Sequence, residues 1–258
     1  MRFGCSARFQ EAETVKRAGY DYVMLRGKEV AAATAPEFEA LTQMLENLGM
    51  PCISLNAYCS DDLFVAGPAY DRKKTIAYAR LLAPRASRLG VKTIGIGSPA
   101  ARRIPDDFDP KNAETQLAEF LSDTAAVFEP FGIRISLEPL GYCYCNLVNR
   151  TEEALALADK LVPPMDLTVD FYNMEQSGEA DLDLRPYAGR IAHVHVSDDR
   201  GDCYQRSPLL QEKTQIHQER MRALWECGYD GYVTLEVDLP LDEGEISETL
   251  QVLKNSIR

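Results

Sequence analysis

The segment DRKKTIAYARLLAPRASRLGVKTIGI, residues 71–96, contains the unit from which the chain is built. Its apolar residues recur at helical spacing, which predicts an amphipathic helix over residues 71–89. Gly90 follows at once, and glycine is the residue that best tolerates the left-handed backbone at the end of a helix. The apolar run at residues 91–96 is rich in β-branched side chains and predicts a buried strand. The segment therefore predicts a helix followed directly by a strand.

The same unit recurs along the chain. Further helices are predicted at residues 11–18, 38–48, 113–131, 151–161 and 217–227. With the helix at 71–89 these make six, and all except the one at 151–161 end before a glycine. The exception, at 151–161, stops at two prolines. Strands are predicted at residues 2–6, 22–25, 53–55, 91–96, 133–137, 167–169, 191–196 and 232–235.

Eight strands that alternate with helices imply parallel pairing. In a chain of 258 residues this pattern predicts an α/β fold, a single (β/α)8 TIM barrel, as one domain over residues 1–258. A doubly wound open sheet is the alternative. It is disfavoured because no GxGxxG motif follows any strand.

Charge and composition exclude several classes of protein. Acidic residues outnumber basic ones by 40 to 28, which gives a net charge of −12. Such a field repels nucleic acids and anionic membrane surfaces, so neither is expected as a partner. No apolar run is long enough to cross a membrane, and the N-terminal residues lack a secretory signal. The seven cysteines follow no regular spacing, which favours free thiols and a cytoplasmic location.

Polar side chains end the last four predicted strands. They are Glu138, Asp170, His195 and Glu236. The active site of a TIM barrel lies at the C-terminal ends of its strands, so we expect these four side chains to converge. Taken singly, a carboxylate there often caps a helix or pairs with arginine. Together, three carboxylates and an imidazole predict a site for one divalent metal, with Mn²⁺ favoured over Co²⁺, Mg²⁺ or Zn²⁺.

Several motifs make the chain resemble the xylose isomerase-like superfamily of TIM barrels, most closely its ketose 3-epimerase branch. They occur in chain order as Gly-Ser-Pro-Ala-Ala-Arg at 97–102, Glu-Pro-Leu at 138–140, His-Val-His at 193–195 and Gly-Tyr-Asp-Gly-Tyr-Val-Thr-Leu-Glu at 228–236. The resemblance extends over nearly the whole chain. It implies a metal-dependent sugar isomerase or epimerase that acts on a small ketose. It also implies that Glu138 and Glu236, besides binding the metal, exchange a proton with the carbon beside the carbonyl.

The resemblance points to substrate contacts as well, and here the sequence departs from the pattern. Tyr144 stands where the epimerases usually carry an acidic residue, and Asn173 stands where they carry histidine. The arginine expected beyond the seventh strand is either Arg200 or Arg206, with Arg206 favoured. Arg102 is a further candidate for holding the substrate. These changes do not affect the predicted metal ligands, but they leave the identity of the substrate undetermined.

The altered substrate positions keep other functions open. A lyase on the same scaffold, either a dehydratase of keto-polyols or inososes or an enzyme that cleaves a sugar conjugate by β-elimination, begins with the same proton abstraction. A non-catalytic metal- or sugar-binding protein is a second alternative. A DNA repair endonuclease, also found in this superfamily, is disfavoured by the three histidines and the negative charge. A homo-oligomer, dimer or tetramer, is possible.

Four further expectations concern structure. His193 shares a strand face with His195 and is expected in a deeper layer of the barrel. Trp225 is expected to pack under the barrel wall, and His217 to lie at the surface. The acidic run at residues 242–245 is expected to form a solvated loop.

Overall fold

Eight parallel strands close into a barrel in the computed structural model, which describes residues 1–238 and 240–256. The order around the barrel is β1-β8-β7-β6-β5-β4-β3-β2. The strands are β1 (Arg2–Ala7), β2 (Tyr22–Arg26), β3 (Cys52–Asn56), β4 (Thr93–Ile96), β5 (Arg134–Leu137), β6 (Asp166–Asp170), β7 (Ile191–Val196) and β8 (Tyr232–Leu235). The predicted (β/α)8 barrel is confirmed.

Helices surround the barrel and cover the outer faces of the strands. They are α1 (Ala12–Arg17), α2 (Gly27–Ala32), α3 (Ala35–Leu48), α4 (Arg72–Leu89), α5 (Pro99–Arg102), α6 (Pro110–Phe128), α7 (Thr151–Ala158), α8 (Phe171–Gln176), α9 (Thr214–Glu226) and α10 (Glu243–Asn255). Among the described residues, no helix is long and apolar enough to cross a membrane.

The bounds of α4 follow from its end residues. Asp71 begins the helix, because its side chain accepts hydrogen bonds from the backbone N–H groups of Lys73 and Lys74. Gly90 ends it with a φ of 84°, which only glycine adopts without strain. The chain then enters β4, whose four residues are all buried. Residues 71–96 thus form a helix followed by a strand, as the sequence predicts.

Four short or terminal helices, α2, α5, α8 and α10, are absent from the sequence predictions. α2 and α8 begin directly at the ends of β2 and β6, where apolar periodicity is too short to detect. The acidic run at residues 242–245 is not a loop but the start of α10. There Asp242 accepts a hydrogen bond from the N–H of Glu245, and acidic residues favour the first turn of a helix.

Two of the side-chain expectations are wrong. Trp225 is 53% exposed, because it lies on the outer face of α9. His217 is fully buried on the inner face of the same helix, and its Nε2 lies 2.9 Å from Asp198 Oδ2. A neighbouring carboxylate, which the sequence does not place there, makes the burial of this polar ring favourable.

A polar group inside the barrel joins three strands. Thr234 Oγ1 lies 2.7 Å from the hydroxyl of Tyr22 and 2.6 Å from Nε2 of His193. His193 therefore lies in a layer below the strand ends, as expected, with its ring centre 5.1 Å from that of His195. Tyr22 reaches this layer because Gly4, on the neighbouring strand, has no side chain to obstruct the ring.

After β7 the chain forms a small antiparallel ribbon above the barrel. Asp198 pairs with Ser207, and Asp199 pairs with Arg206. The N–H of Arg206 also donates to Asp238 Oδ2 at 2.8 Å, which ties the ribbon to the segment after β8. The ribbon therefore fixes the backbone of Arg206 at the C-terminal end of the barrel.

Candidate active site and metal centre

The four predicted strand-end residues converge at the C-terminal mouth of the barrel. Each offers one ligand atom, and these atoms all lie within 4.8 Å of one another. Three of the side chains are buried, and that of Glu236 is 16% exposed. Neighbouring strand ends position them, because Glu138 follows β5, Asp170 and His195 lie in β6 and β7, and Glu236 follows β8.

His195 lies at the centre of the group. Its Nδ1 is 3.1 Å from Glu138 Oε1, 3.3 Å from Glu236 Oε2 and 4.0 Å from Asp170 Oδ2. Burial by itself would lower the pKa of His195, but the surrounding carboxylates outweigh it and raise that pKa well above its ordinary value. The surrounding carboxylates thus favour the protonated form of the imidazole.

The carboxylate of Glu138 is buried against backbone. Burial raises its pKa to about 7, although the charge of His195 acts in the opposite direction. A Cβ atom at Gly97 would overlap Glu138 Oε2, so the glycine leaves the space that the carboxylate occupies. Arg102 holds the same residue from behind, because its Nη2 donates to the Glu138 carbonyl oxygen at 2.8 Å.

Asp170 uses its two carboxylate oxygens differently. Oδ1 accepts hydrogen bonds from the backbone N–H groups of Tyr172 and Asn173, which starts α8. Oδ2 faces the site and lies 2.7 Å from Arg206 Nη1. The short helix α8, which the sequence predictions miss, therefore fixes the orientation of this carboxylate.

Glu236 is held by Asn56, which sequence reasoning did not identify. The Asn56 amide, at the end of β3, donates to Glu236 Oε1 at 2.6 Å. Burial would raise the pKa of Glu236, but the charges of His195 and Arg206 outweigh it and hold that pKa well below its ordinary value. Asn56 ends an apolar strand just as Glu138 does, so its position was a usable signal.

Arg206, and not Arg200, reaches the carboxylates. Its Nη1 lies 2.7 Å from Asp170 Oδ2 and 3.3 Å from Glu236 Oε2, and its guanidinium stacks over the Tyr172 ring at 4.7 Å. Arg200 pairs instead with Glu245 on the surface. Arg206 thus ion-pairs with two members of the cluster and compensates part of its negative charge.

Tyr144 and Asn173 form one wall of the site together. The Tyr144 hydroxyl donates to Asn173 Oδ1 and accepts from Arg206 Nη2 at 3.1 Å. The Asn173 amide nitrogen donates to Glu138 Oε1 at 3.2 Å and to Asp170 Oδ2 at 3.1 Å. Tyr144 lines the cavity above the cluster, whereas the buried Asn173 touches the carboxylates from behind.

That cavity has a volume of about 370 Å³, which falls within the range of small-molecule sites. Glu138, Glu236, Tyr144 and Arg206 are among its lining residues. Arg102, expected to contact substrate, is fully buried and points its guanidinium at backbone carbonyls instead. Its role is a structural one behind Glu138, because a buried guanidinium must find acceptors where it lies.

The residues fit a divalent metal. The carboxylate oxygens and imidazole nitrogen are suitable donors, and they converge on one small volume. A divalent ion together with Arg206 would balance the three carboxylates when His195 is neutral. Because Gly97 has no Cβ atom, Glu138 Oε2 has room to reach this volume.

The chain also matches a model of a known protein family. The model described as "Xylose isomerase-like TIM barrel" matches residues 12–256, almost the whole chain. The chain belongs to the xylose isomerase-like TIM barrel family. Among the curated proteins, none gives a significant match.

Solved structures of other family members have the same fold. D-psicose 3-epimerase from Clostridium cellulolyticum H10, solved with D-tagatose, superposes with a TM-score of 0.79 at 17% identity, covering 100% of this chain and 99% of that one. L-ribulose 3-epimerase also has a TM-score of 0.79 at 17% identity, with 99% and 94% covered. The IolI protein with a bound zinc atom has a TM-score of 0.71 at 18% identity, with 99% and 96% covered. At these identities the likeness shows the shared barrel fold.

Proposed function

We propose that this member of the xylose isomerase-like family is a divalent-metal-dependent sugar isomerase or epimerase that acts on a small ketose. The observation that carries the proposal is the convergence of Glu138, Asp170, His195 and Glu236 beneath a substrate-sized cavity. The structural similarity to two ketose 3-epimerases agrees with it.

Glu138 and Glu236 are the two proton-transfer groups. Both line the cavity, and they reach it from opposite sides of His195, by way of β5 and β8. One carboxylate removes the proton beside the ketose carbonyl, and the other returns it from the opposite face, which inverts the carbon.

Glu138, Asp170, His195 and Glu236 would hold the metal, with Mn²⁺ favoured over Co²⁺, Mg²⁺ or Zn²⁺. A divalent ion there supplies Lewis-acid polarisation of the carbonyl oxygen, where negative charge develops during proton removal. Arg206 adds a fixed positive charge at the same point, and Tyr144 offers its hydroxyl to the sugar from the cavity wall. Asn173 orients the carboxylates of Glu138 and Asp170 rather than the substrate.

Deuterium exchange tests this function. The protein loaded with Mn²⁺ is incubated in D2O with a panel of pentuloses and hexuloses, and NMR follows deuterium at each carbon. We expect exchange beside the carbonyl together with formation of an epimer or aldose. Absence of exchange with every sugar, with Co²⁺, Mg²⁺ and Zn²⁺ also tried, would overturn the proposal.

Glu236→Gln tests the joint role of Glu236 in proton transfer and metal binding. We expect it to reduce exchange by at least about 100-fold, because the amide cannot accept the proton. Glu114→Gln is the matched control, since this half-buried residue on α6 lies outside the cluster and forms a surface ion pair with Lys160. Equal exchange rates in the two variants would rule out the role of Glu236.

A lyase remains the second candidate, and the Tyr144 hydroxyl is the observation that favours it. This hydroxyl lies in the cavity wall, accepts a hydrogen bond from Arg206 and donates to Asn173 Oδ1. To protonate a departing oxygen it would exchange the bond to Asn173 for one to the substrate. The same NMR experiment separates the two reactions. Loss of water or release of a second product identifies a lyase, and an epimer of unchanged composition identifies an epimerase.

Location and assembly remain predictions. A cytoplasmic location is inferred from the cysteine usage, and all seven cysteines are unpaired in the structure. The expected dimer or tetramer is tested by light scattering coupled to size-exclusion chromatography.

A further inference from the structure

We infer that the substrate carries an anionic group, a carboxylate or a phosphate, and that Arg8 and Arg26 form the subsite that binds it. This inference rests on the proposed function, because it assumes that the sugar's carbonyl end lies at the Glu138 cluster. It specifies the substrate class that the family fold leaves open.

A second cavity next to the catalytic one provides the space. It has a volume of about 490 Å³, and four residues line both cavities, namely Arg26, Tyr204, Arg206 and Asp238. A ligand that extends from the Glu138 cluster past Arg206 therefore enters the second cavity. We call this second cavity the arginine annex.

The lining of the arginine annex is basic, although the protein as a whole carries a net charge of −12. Four arginines line it, Arg8, Arg26, Arg200 and Arg206, against the single carboxylate of Asp238. Asp238 is itself engaged, since its Oδ2 accepts the backbone N–H of Arg206. Arg206 is compensated by Asp170 and Glu236, and Arg200 by Glu245. The positive charge of Arg8 and Arg26 is therefore what points to a negatively charged ligand.

Two of these guanidinium groups are only weakly paired. Arg8 Nε and Arg26 Nη1 share one oxygen, Glu29 Oε1, at 3.6 Å and 3.7 Å. Both distances exceed the 2.7–2.9 Å that is typical of a charge-assisted hydrogen bond. Arg200, by contrast, is already paired with Glu245. Arg8 and Arg26 therefore retain donors for a further anion.

Their positions in the fold suit substrate binding. Arg26 is the last residue of β2, and Arg8 directly follows β1, so both extend from the same barrel end as the catalytic groups. Arginine side chains on rigid strand ends match the planar carboxylate and the phosphate oxygens. Lys28 lines the first cavity but is paired with Asp61 at 2.7 Å. The arginines, and not this lysine, are the available cations.

Calorimetric binding with three matched probes tests the inference. They are glucitol, gluconate and glucitol 6-phosphate, which share a six-carbon polyol chain and differ in the terminal group. With the Mn²⁺-loaded protein we expect at least one anion to bind ten-fold or more tightly than glucitol. Gluconate and the phosphate distinguish a sugar acid from a sugar phosphate. Equal affinity for all three would overturn the inference.

The double variant Arg8→Gln/Arg26→Gln locates the anion. We expect it to abolish the preference over glucitol while glucitol affinity stays within two-fold. Arg88→Gln, a surface arginine paired with Glu39, is the control and should retain the preference. A preference that survives in the double variant would place the anion on the metal or on Arg206 and overturn the inference.

The binding experiment and the deuterium-exchange experiment test the anionic subsite and the proposed function separately. Deuterium exchange with neutral ketoses, combined with no preference for anions, contradicts only the anionic subsite. Anion preference without exchange on any ketose contradicts the proposed reaction and keeps the subsite.

Discussion

Gly97 controls the space available to the Glu138 carboxylate. A Cβ atom there would overlap Glu138 Oε2 and lie 3.3 Å from Leu140 Cδ2, so Gly97→Ala must displace the carboxylate. We predict that this variant binds Mn²⁺ about 10- to 100-fold more weakly, the usual effect of disturbing the support of a metal ligand. Calorimetric titration with Mn²⁺ measures the change.

The control for Gly97 is Gly189→Ala, because an added Cβ at Gly189 meets no atom of the described structure within 4 Å. Equal Mn²⁺ affinities of the two alanine variants would show that Gly97 does not set the position of Glu138.

Arg206 compensates part of the charge that the proposed metal would also neutralise. In the metal-free protein it is the arginine that contacts Asp170 and Glu236, so Arg206→Gln leaves buried carboxylates poorly compensated. We predict a loss of about 3–5 kcal/mol in unfolding free energy, the usual effect of breaking a buried ion pair. Saturating Mn²⁺ should reduce that loss, since the ion neutralises the same carboxylates.

Urea unfolding with and without Mn²⁺ measures this, with Arg88→Gln as the surface control. An equal loss under both conditions would mean that Arg206 and the metal do not share the charge of the cluster.

At the scale of elements, the antiparallel ribbon after β7 positions Arg206 beside the carboxylates, and Asp198 holds this ribbon in place. Asp198 Oδ2 lies 2.9 Å from His217 Nε2 and accepts the Leu210 N–H at 2.8 Å, while Oδ1 lies 3.1 Å from Lys213 Nζ. These contacts join the ribbon to α9. Burial would raise the pKa of Asp198, but the bonds and the charges outweigh it and lower that pKa.

Asp198→Asn should therefore lower stability in a pH-dependent manner. A carboxylate whose pKa is lower in the folded state stabilises the protein above its unfolded pKa of about 3.9, and loses that effect as pH falls through the folded pKa. We predict a deficit of about 1–3 kcal/mol at pH 7 that shrinks below about pH 4. Urea unfolding at pH 7, 5 and 3.5, with the exposed Asp107→Asn as control, measures it. A deficit that stayed constant with pH would contradict this account.

At the scale of the whole molecule, the barrel closes where β1 pairs with β8, which brings residues 2–5 alongside residues 232–235. Thr234 supports this closure through its bonds to Tyr22 and His193. Thr234→Val keeps the shape and leaves both partners without this hydrogen bond. We predict a loss of about 2 kcal/mol in unfolding free energy.

Thr115→Val on the exposed face of α6 is the control for Thr234, and it should change stability by less than about 0.5 kcal/mol. A Thr234→Val variant as stable as this control would show that the buried polar group does not support closure.

The repeating helix-and-strand units were predictable from sequence because their signals are local. Apolar periodicity, an N-terminal cap such as Asp71 and a terminal glycine such as Gly90 all act within a few residues. The short helix α8 was not predictable in this way. It begins because the Asp170 side chain caps it. From the sequence this aspartate was assigned to the metal site, and its second role as a helix cap was not identified.

The sequence by itself determined the barrel and the four strand-end residues, because the direction of parallel strands brings their carboxyl ends to one rim. Only the tertiary structure decided which arginine reaches those carboxylates, that Arg102 supports Glu138 from behind, and that Asn56 holds Glu236. It alone placed Trp225 outside and His217 inside. The physical reason is that these outcomes depend on contacts between residues far apart in the chain, whose distances are set only when the barrel closes.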